Sequence, residues 1–168
     1  MRFDWLSEIQ IHPIGIMSDM RKKNPLLVFD FDGVLAMPWY HPELPYDNVR
    51  ELIRMVSKTH YICVASFNPR AKLAIDDWKQ FYGYDAIRCG SNHHWSVVYS
   101  NKWRVEMTKS RQITAMLDEL GLSEDHPVQF YDDDQENVDE VNKHQSRTAF
   151  KVDGEVGLCF DDIKHLLC

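Results

Sequence analysis

Leu26-Leu27-Val28-Phe29 is an unbroken apolar run that stops abruptly at Asp30. A strand with one face in water alternates apolar and polar residues, whereas a continuous run suits a strand covered on both faces. Such strands belong to parallel sheets sandwiched between helices, so this one run narrows the fold sharply. The rest of the chain fits. Tyr61 to Ala65 is a second buried strand, weaker strands lie near Ala86-Ile87 and Trp95–Tyr99, and two more are expected at Val128–Tyr131 and Thr148–Val152. Helices fall between them. Val49, Leu52, Ile53 and Val56 form an apolar stripe over residues 47–57, with Asp47 as N-cap. Asn68 reads as a cap followed by Pro69 at a first helical position, ahead of the stripe Ala71, Ala74, Ile75 and Trp78. A third helix spans residues 110–120, with Ile113, Met116, Leu117 and Leu120 on one face and Gly121 closing it. Helices around Gln135–Lys143 and from Asp161 complete the alternation. The pattern predicts an α/β fold, a central parallel sheet with helices on both faces.

The 168 residues suit one domain. Residues 1–25, with Pro13, Gly15 and the basic Arg21-Lys22-Lys23, read as an N-terminal arm, and residues 26–168 as the domain proper. A formal net charge of -7 argues against broad electrostatic binding of nucleic acid. Cys63, Cys89, Cys159 and Cys168 are scattered with no C-x-x-C, against a zinc ribbon or disulfide framework and for a reducing compartment. Asp4 and Glu8 interrupt the apolar residues near the start, so no signal-peptide core is expected, and no apolar run reaches the roughly 20 residues of a membrane span. A cytoplasmic protein with no membrane partner is the expectation.

In parallel α/β sheets ligands bind at the carboxyl ends of the strands. Here the first strand runs into Asp30-Phe31-Asp32-Gly33, the second into Ser66, and the fourth into Asp132-Asp133, while Lys109 opens the third helix. Acids, a hydroxyl and an ammonium gathered on one sheet edge suit a divalent cation and a phosphate. The order Asp-x-Asp, Ser, Lys, acidic pair, spanning residues 26 to about 160, resembles the four motifs of the haloacid dehalogenase superfamily of aspartyl-phosphate phosphatases. Lys109 precedes Asp132 at a spacing familiar from that family, with Leu120-Gly121 between. The stretch from Phe130 to Val138 is similar to the acidic motif of its capless magnesium-dependent phosphatase-1 group.

The resemblance implies a three-layer, Rossmann-like α/β/α fold and a Mg²⁺-dependent phosphomonoesterase. Asp30 would be the nucleophile and Asp32 the acid–base. Ser66 and Lys109 would bind the phosphoryl oxygens. Asp30 and Asp132, the backbone carbonyl of Asp32, and Asp133 directly or through water would hold the metal. Lys102 competes with Lys109, which is preferred because it opens a helix. Trp39 and Tyr40, with His41, stand in the short segment that forms a flap over the site in this family, and could contact the leaving group or pack on the arm. Neither the interval Asp32–Ser66 nor Ser66–Lys109 leaves room for a cap domain, so an open site is expected. That suits phosphoproteins, nucleic-acid ends or other bulky phosphate monoesters unless a partner subunit in a homo-oligomer supplies a lid. The cluster Lys102, Arg104, Lys109, Arg111 would favour a polyanionic substrate or be plain surface. His93-His94 has no spaced partner ligands and reads as no metal site. Alternatives are a phosphotransferase of the same fold and a non-catalytic phospho-accepting or binding domain.

Overall fold

A computed structural model describes residues 21–38, 43–84, 87–89 and 108–167. Residues 1–20, Trp39, Tyr40, His41, His93, His94, the strand expected at Trp95–Tyr99, Lys102 and Arg104 lie outside them. The elements are β1 (Leu26–Phe29), α1 (Val49–Val56), β2 (Ile62–Val64), α2 (Ala71–Tyr82), β3 (Ile87–Cys89), α3 (Lys109–Leu120), β4 (Val128–Asp132), α4 (Gln135–Val141), β5 (Arg147–Lys151) and α5 (Phe160–Ile163), with a 3₁₀ turn at Lys164–Leu166.

The strands form one five-stranded parallel sheet in the order β3-β2-β1-β4-β5. Its central strand is the unbroken apolar run, and all four of its residues are fully buried. Strand side chains alternate between faces. Leu27 and Phe29 therefore pack with Val49, Leu52, Ile53 and Val56 of α1 and Ala71, Ala74, Ile75 and Trp78 of α2. Leu26 and Val28 pack on the other face with Ile113, Met116 and Leu117 of α3 and Val138 and Val141 of α4. The result is a three-layer α/β/α fold. Each fully buried Val, Leu or Phe contributes ~1.5–3 kcal/mol, so the two cores dominate the stability of the sandwich.

Register matters most for function. Phe29 pairs with Tyr131 on β4 and with Val64 on β2, and Tyr131 pairs with Phe150 on β5. Their rings stack across the strands, Phe29 on Tyr131 at 5.1 Å and Tyr131 on Phe150 at 5.0 Å. A slip of one residue would break this ladder and send every side chain to the opposite face. One step beyond it, Asp30 comes level with Asp132 and Ala65, and its N–H donates to the Tyr131 carbonyl at 2.8 Å.

Several element ends differ from the expectation. The cap of α1 is Asn48 rather than Asp47, and its amide makes no cap bond but donates to the Leu158 carbonyl at 3.1 Å. The helix after Asn68-Pro69 begins two residues late, at Ala71, because Pro69 and Arg70 form a turn of their own, closed by the Ala71 N–H donating to the Asn68 carbonyl at 3.1 Å. Lys109 is the first residue of α3, capped by Thr108, whose hydroxyl accepts from the Arg111 N–H. Asn24, at the end of the expected arm, donates to the Thr59 carbonyl at 2.9 Å, and its own carbonyl lies 3.0 Å from His126 Nε2. The loops that lead into β2 and β4 thus hold the stretch just ahead of β1 against the domain. Among the described residues no helix is long and apolar enough to cross a membrane.

Candidate functional site

The strand order reverses direction at β1, between its neighbours β2 and β4, and such a switch point opens a crevice at the carboxyl ends. Asp30 leaves β1 there, and Asp132 ends β4. By the pleat, Asp30 shares the face of Val28, and Asp132 that of Phe130, which is the face covered by α3. Lys109, the first residue of α3, points into the gap between them. It is 1% exposed. Its Nζ donates to Asp30 Oδ1 at 2.6 Å and to the Ala65 carbonyl at 2.8 Å, and lies 3.4 Å from Asp132 Oδ2. The Phe67 ring centroid is 4.6 Å from the same ammonium. A buried lysine with these partners is no part of a solvated basic surface, so the expected cluster of Lys102, Arg104, Lys109 and Arg111 loses its central member.

Asp132 is fully buried and held from behind. Its Oδ1 accepts from the Asp134 N–H at 2.7 Å, and Asn137 Nδ2 reaches both oxygens at 3.2 and 3.1 Å. Asp134 is the N-cap of α4, accepting from the Glu136 N–H at 2.8 Å, so it serves the helix rather than the cleft chemistry. Asp133 is closely confined. A Cβ added at Gly33 or at Gly154 would overlap its carboxylate, and Gly33 also has φ +73°, which a side chain would oppose. Lys151 Nζ donates to the Asp133 carbonyl. Asp30, Asp132 and Asp133 offer carboxylate oxygens that all lie within 4.8 Å of one another. Three hard oxygen donors at that separation could hold a metal ion beside the Lys109 ammonium.

Ser66 follows β2 by one residue beyond Ala65. Its hydroxyl accepts from the Asn68 N–H at 3.0 Å, which leaves the O–H proton to donate elsewhere. Gln112, one turn along α3 from Lys109, donates to the Ser66 carbonyl at 2.9 Å and ties this loop to the helix. Asn68 Nδ2 donates to Asp32 Oδ1 at 3.2 Å. Asp32, half-buried beyond β1 where it bridges Ala36 ahead of a turn, faces Asn68 and is not a member of the three-carboxylate group. A cleft of about 410 Å³ is lined by Asp30, Asp32, Ser66, Phe67, Asn68 and Asp133, among others. Beyond Asp32, Ala36 bridges Pro45 in antiparallel fashion and the Met37 N–H donates to the Leu44 carbonyl at 2.9 Å, so the two ends of the segment carrying Trp39 and Tyr40 lie side by side.

Burial pushes the Asp30 carboxyl up to about 7, Lys109 opposing and Asp132 adding to the rise. Burial likewise raises Asp32, against the Asn68 hydrogen bond and with Glu43 adding to the rise, and raises Asp133, where Asp132 is the next cause. For Asp30 the sign of the linkage is clear. Between its unfolded value of 3.8 and about 7 the folded chain holds the extra proton, so stability falls as pH rises through that window. An asparagine at position 30 has no such dependence. In chelator, the melting temperature of Asp30→Asn relative to the parent should therefore climb from about pH 4 to about pH 8. A constant or shrinking difference in thermal melts would contradict the raised Asp30.

The site thus brings Asp30, Ser66, Lys109, Asp132 and Asp133 together and places Asp32 on the cleft wall, while Trp39 and Tyr40 fall outside the described residues. Phe67, Asn68 and Gln112 escape sequence reasoning as members of the site. Asn68 reads from the sequence as a helix cap alone; its position two residues after Ser66 is the available signal. No protein-family model matches this chain, and no curated protein matches it. Among solved structures it is similar to the crystal structure of a hypothetical protein from Xanthomonas campestris, at 20% identity and a TM-score of 0.45, covering 84% of this chain and 71% of that one.

Proposed function

We propose that this chain is a Mg²⁺-dependent phosphomonoesterase of the haloacid dehalogenase type. The observation that carries the reading is the junction of Asp30, Lys109 and Asp132 at the switch point, with Lys109 Nζ 2.6 Å from Asp30 Oδ1 and 3.4 Å from Asp132 Oδ2. Asp30, Asp132 and Asp133 would hold Mg²⁺, with the backbone carbonyl of Asp32. When bound, the ion supplies charge neutralisation between these acids and the phosphate.

The protein's own groups do the rest. Lys109 orients Asp30 and neutralises a phosphoryl oxygen, and the Ser66 hydroxyl donates to another. Positioning and charge neutralisation are most of what phosphoryl transfer needs. An Asp30 carboxylate oxygen bonds to phosphorus as the bond to the leaving oxygen breaks, its electron pair leaving with that oxygen. Asp32, whose pKa burial raises, delivers the proton. Water then attacks phosphorus, Asp32 accepts the water proton, and Asp30 is released. Asp32, Asp133 and Asp134 on the wall disfavour polyanionic leaving groups such as nucleic-acid ends, and a site without a cap domain, as the sequence spacing leads us to expect, would suit a phosphoprotein or another bulky monoester.

Hydrolysis of an aryl phosphate should require Mg²⁺ and cease in excess chelator, returning when the ion is restored. Full turnover after exhaustive chelation would end this reading. A screen of phosphopeptides, nucleotides, oligonucleotide ends and sugar phosphates with Mg²⁺ then separates the substrate classes.

A further inference from the structure

We propose that Asn68 is a positioning residue for Asp32, aiming the carboxyl that protonates the leaving oxygen and so setting how poor a leaving group the site accepts; this rests on the phosphohydrolase reading above. Asn68 is held at four points. Its N–H donates to Ser66 Oγ at 3.0 Å, and its carbonyl accepts from the Ala71 N–H at 3.1 Å. Its side-chain Oδ1 accepts from the Arg70 N–H at 2.9 Å, and Nδ2 donates to Asp32 Oδ1 at 3.2 Å. The first three contacts stay within the turn. The fourth alone crosses to another strand end.

The turn also decides which way the amide faces. The Arg70 N–H needs an acceptor, so the oxygen faces Arg70 and the NH₂ faces Asp32. Asp or Ser at this position would meet the same local need, since their oxygens accept from a backbone N–H two residues on. An amide is required only for the Asp32 contact. Among the described residues Asn68 is the side chain that hydrogen-bonds this carboxyl. A carboxyl that accepts on Oδ1 carries its proton on Oδ2. Asp32 lines the cleft, so the proton lies on the oxygen left free to face the leaving group. Proton transfer in the transition state depends on that aim, because it needs hydrogen-bond reach and alignment. Asp32 lies beyond β1, where its backbone bridges Ala36 rather than a strand of the sheet, and the fold supplies Asn68 to hold its side chain.

The test uses Asn68→Ser, neutral and too short to reach Asp32, and Asn68→Asp, which keeps length but replaces the donor with an acceptor. Both retain the acceptor for Arg70, so melting temperatures should stay close to the parent's. With saturating Mg²⁺, kcat/KM is measured for a simple alkyl phosphate, whose leaving oxygen needs a proton, and for acetyl phosphate, whose leaving group does not. The alkyl phosphate should lose about tenfold to a hundredfold in each variant, a fraction of what a general acid contributes, and acetyl phosphate several-fold less. Repulsion of the substrate phosphate by Asn68→Asp acts on both substrates and cancels in their ratio, and the neutral Asn68→Ser shows the loss without a new charge beside Asp32. Asp32→Asn should move the ratio in the same direction and further. Equal losses on both substrates, or a fall in melting temperature with an unchanged ratio, would overturn the role of Asn68 and leave the phosphohydrolase reading standing. A parent protein that turns over neither substrate with Mg²⁺ would overturn both, whereas an Asp32→Asn variant that does not discriminate would overturn the acid role of Asp32 and with it that of Asn68.

Discussion

Asp30→Asn should lower kcat at least about a thousandfold, roughly 4 kcal/mol of barrier, while the protein stays folded. The substitution is nearly isosteric. The new amide still presents an oxygen to Lys109, which also keeps the Ala65 carbonyl at 2.8 Å and Asp132 at 3.4 Å. No cavity opens and no buried cation is orphaned. What disappears is the charged oxygen that would bond to phosphorus, and neither neighbouring carboxylate of the group is placed to replace it: Asp132 is pinned by Asn137 and the Asp134 N–H, and Asp133 is wedged between Gly33 and Gly154. Steady-state kinetics on an aryl phosphate, with a thermal melt beside it, decide the matter. An Asp30→Asn protein that melts normally and keeps kcat within about tenfold of the parent would eliminate the covalent step, whatever the metal dependence.

Lys109→Met is expected to damage both stability and turnover, for one electrostatic reason. Met matches the volume of the lysine stem but leaves Asp30, Asp132 and Asp133 within 4.8 Å of one another without the ammonium. Breaking a buried pair by removing one partner costs ~3–5 kcal/mol, because the remaining charge is left uncompensated. The loss should be largest above about pH 7 in chelator and shrink in acid, where Asp30, already pushed up to about 7, takes a proton instead. Added Mg²⁺ should raise the melting temperature of the variant more than that of the parent, since only in the variant is the cation the sole relief of the repulsion. Turnover should still fall at least about a hundredfold, on the order of losing one preorganised donor to the transferring group. Denaturant titrations at about pH 5 and about pH 8, with and without Mg²⁺, test this. A stability loss indifferent to pH and to Mg²⁺ would mean that Lys109 is a packing residue and that the carboxylates do not share a cation.

Much of the architecture is legible from local pattern. The apolar run at β1 and the stripes Val49–Leu52–Ile53–Val56 and Ala71–Ala74–Ile75–Trp78 are periodic signals, and each of these residues is buried. Helix ends are legible only where the cap is local: Gly121 ends α3 in the left-handed conformation, and Asp134 caps α4. Asn48 escapes such reading because its amide is drawn to Leu158, far along the chain, and a contact of that kind leaves no mark on neighbouring residues. The start of α2 departs from its expected place because Pro69 and Arg70 form a separate turn ahead of it.

The same division holds for the site. That acids and a hydroxyl follow apolar strands, and that a lysine opens a helix, is written in the order of residues along the chain, because strand ends in a parallel sheet share one edge. Which of them meet is a matter of register and of the face to which each side chain turns. The stacking of Phe29, Tyr131 and Phe150 sets Asp30 level with Asp132, and the pleat turns both toward α3, where Lys109 fills the gap. Asp32, of the same parity but beyond the strand, is free of the pleat and goes to Asn68 instead. The sandwich and the inventory of groups on its edge were readable from the order of residues, since both follow from local periodicity. The pairings came from packing across the fold, because a hydrogen bond between Lys109 and Asp30 depends on how a helix lies against a strand 79 residues away along the chain.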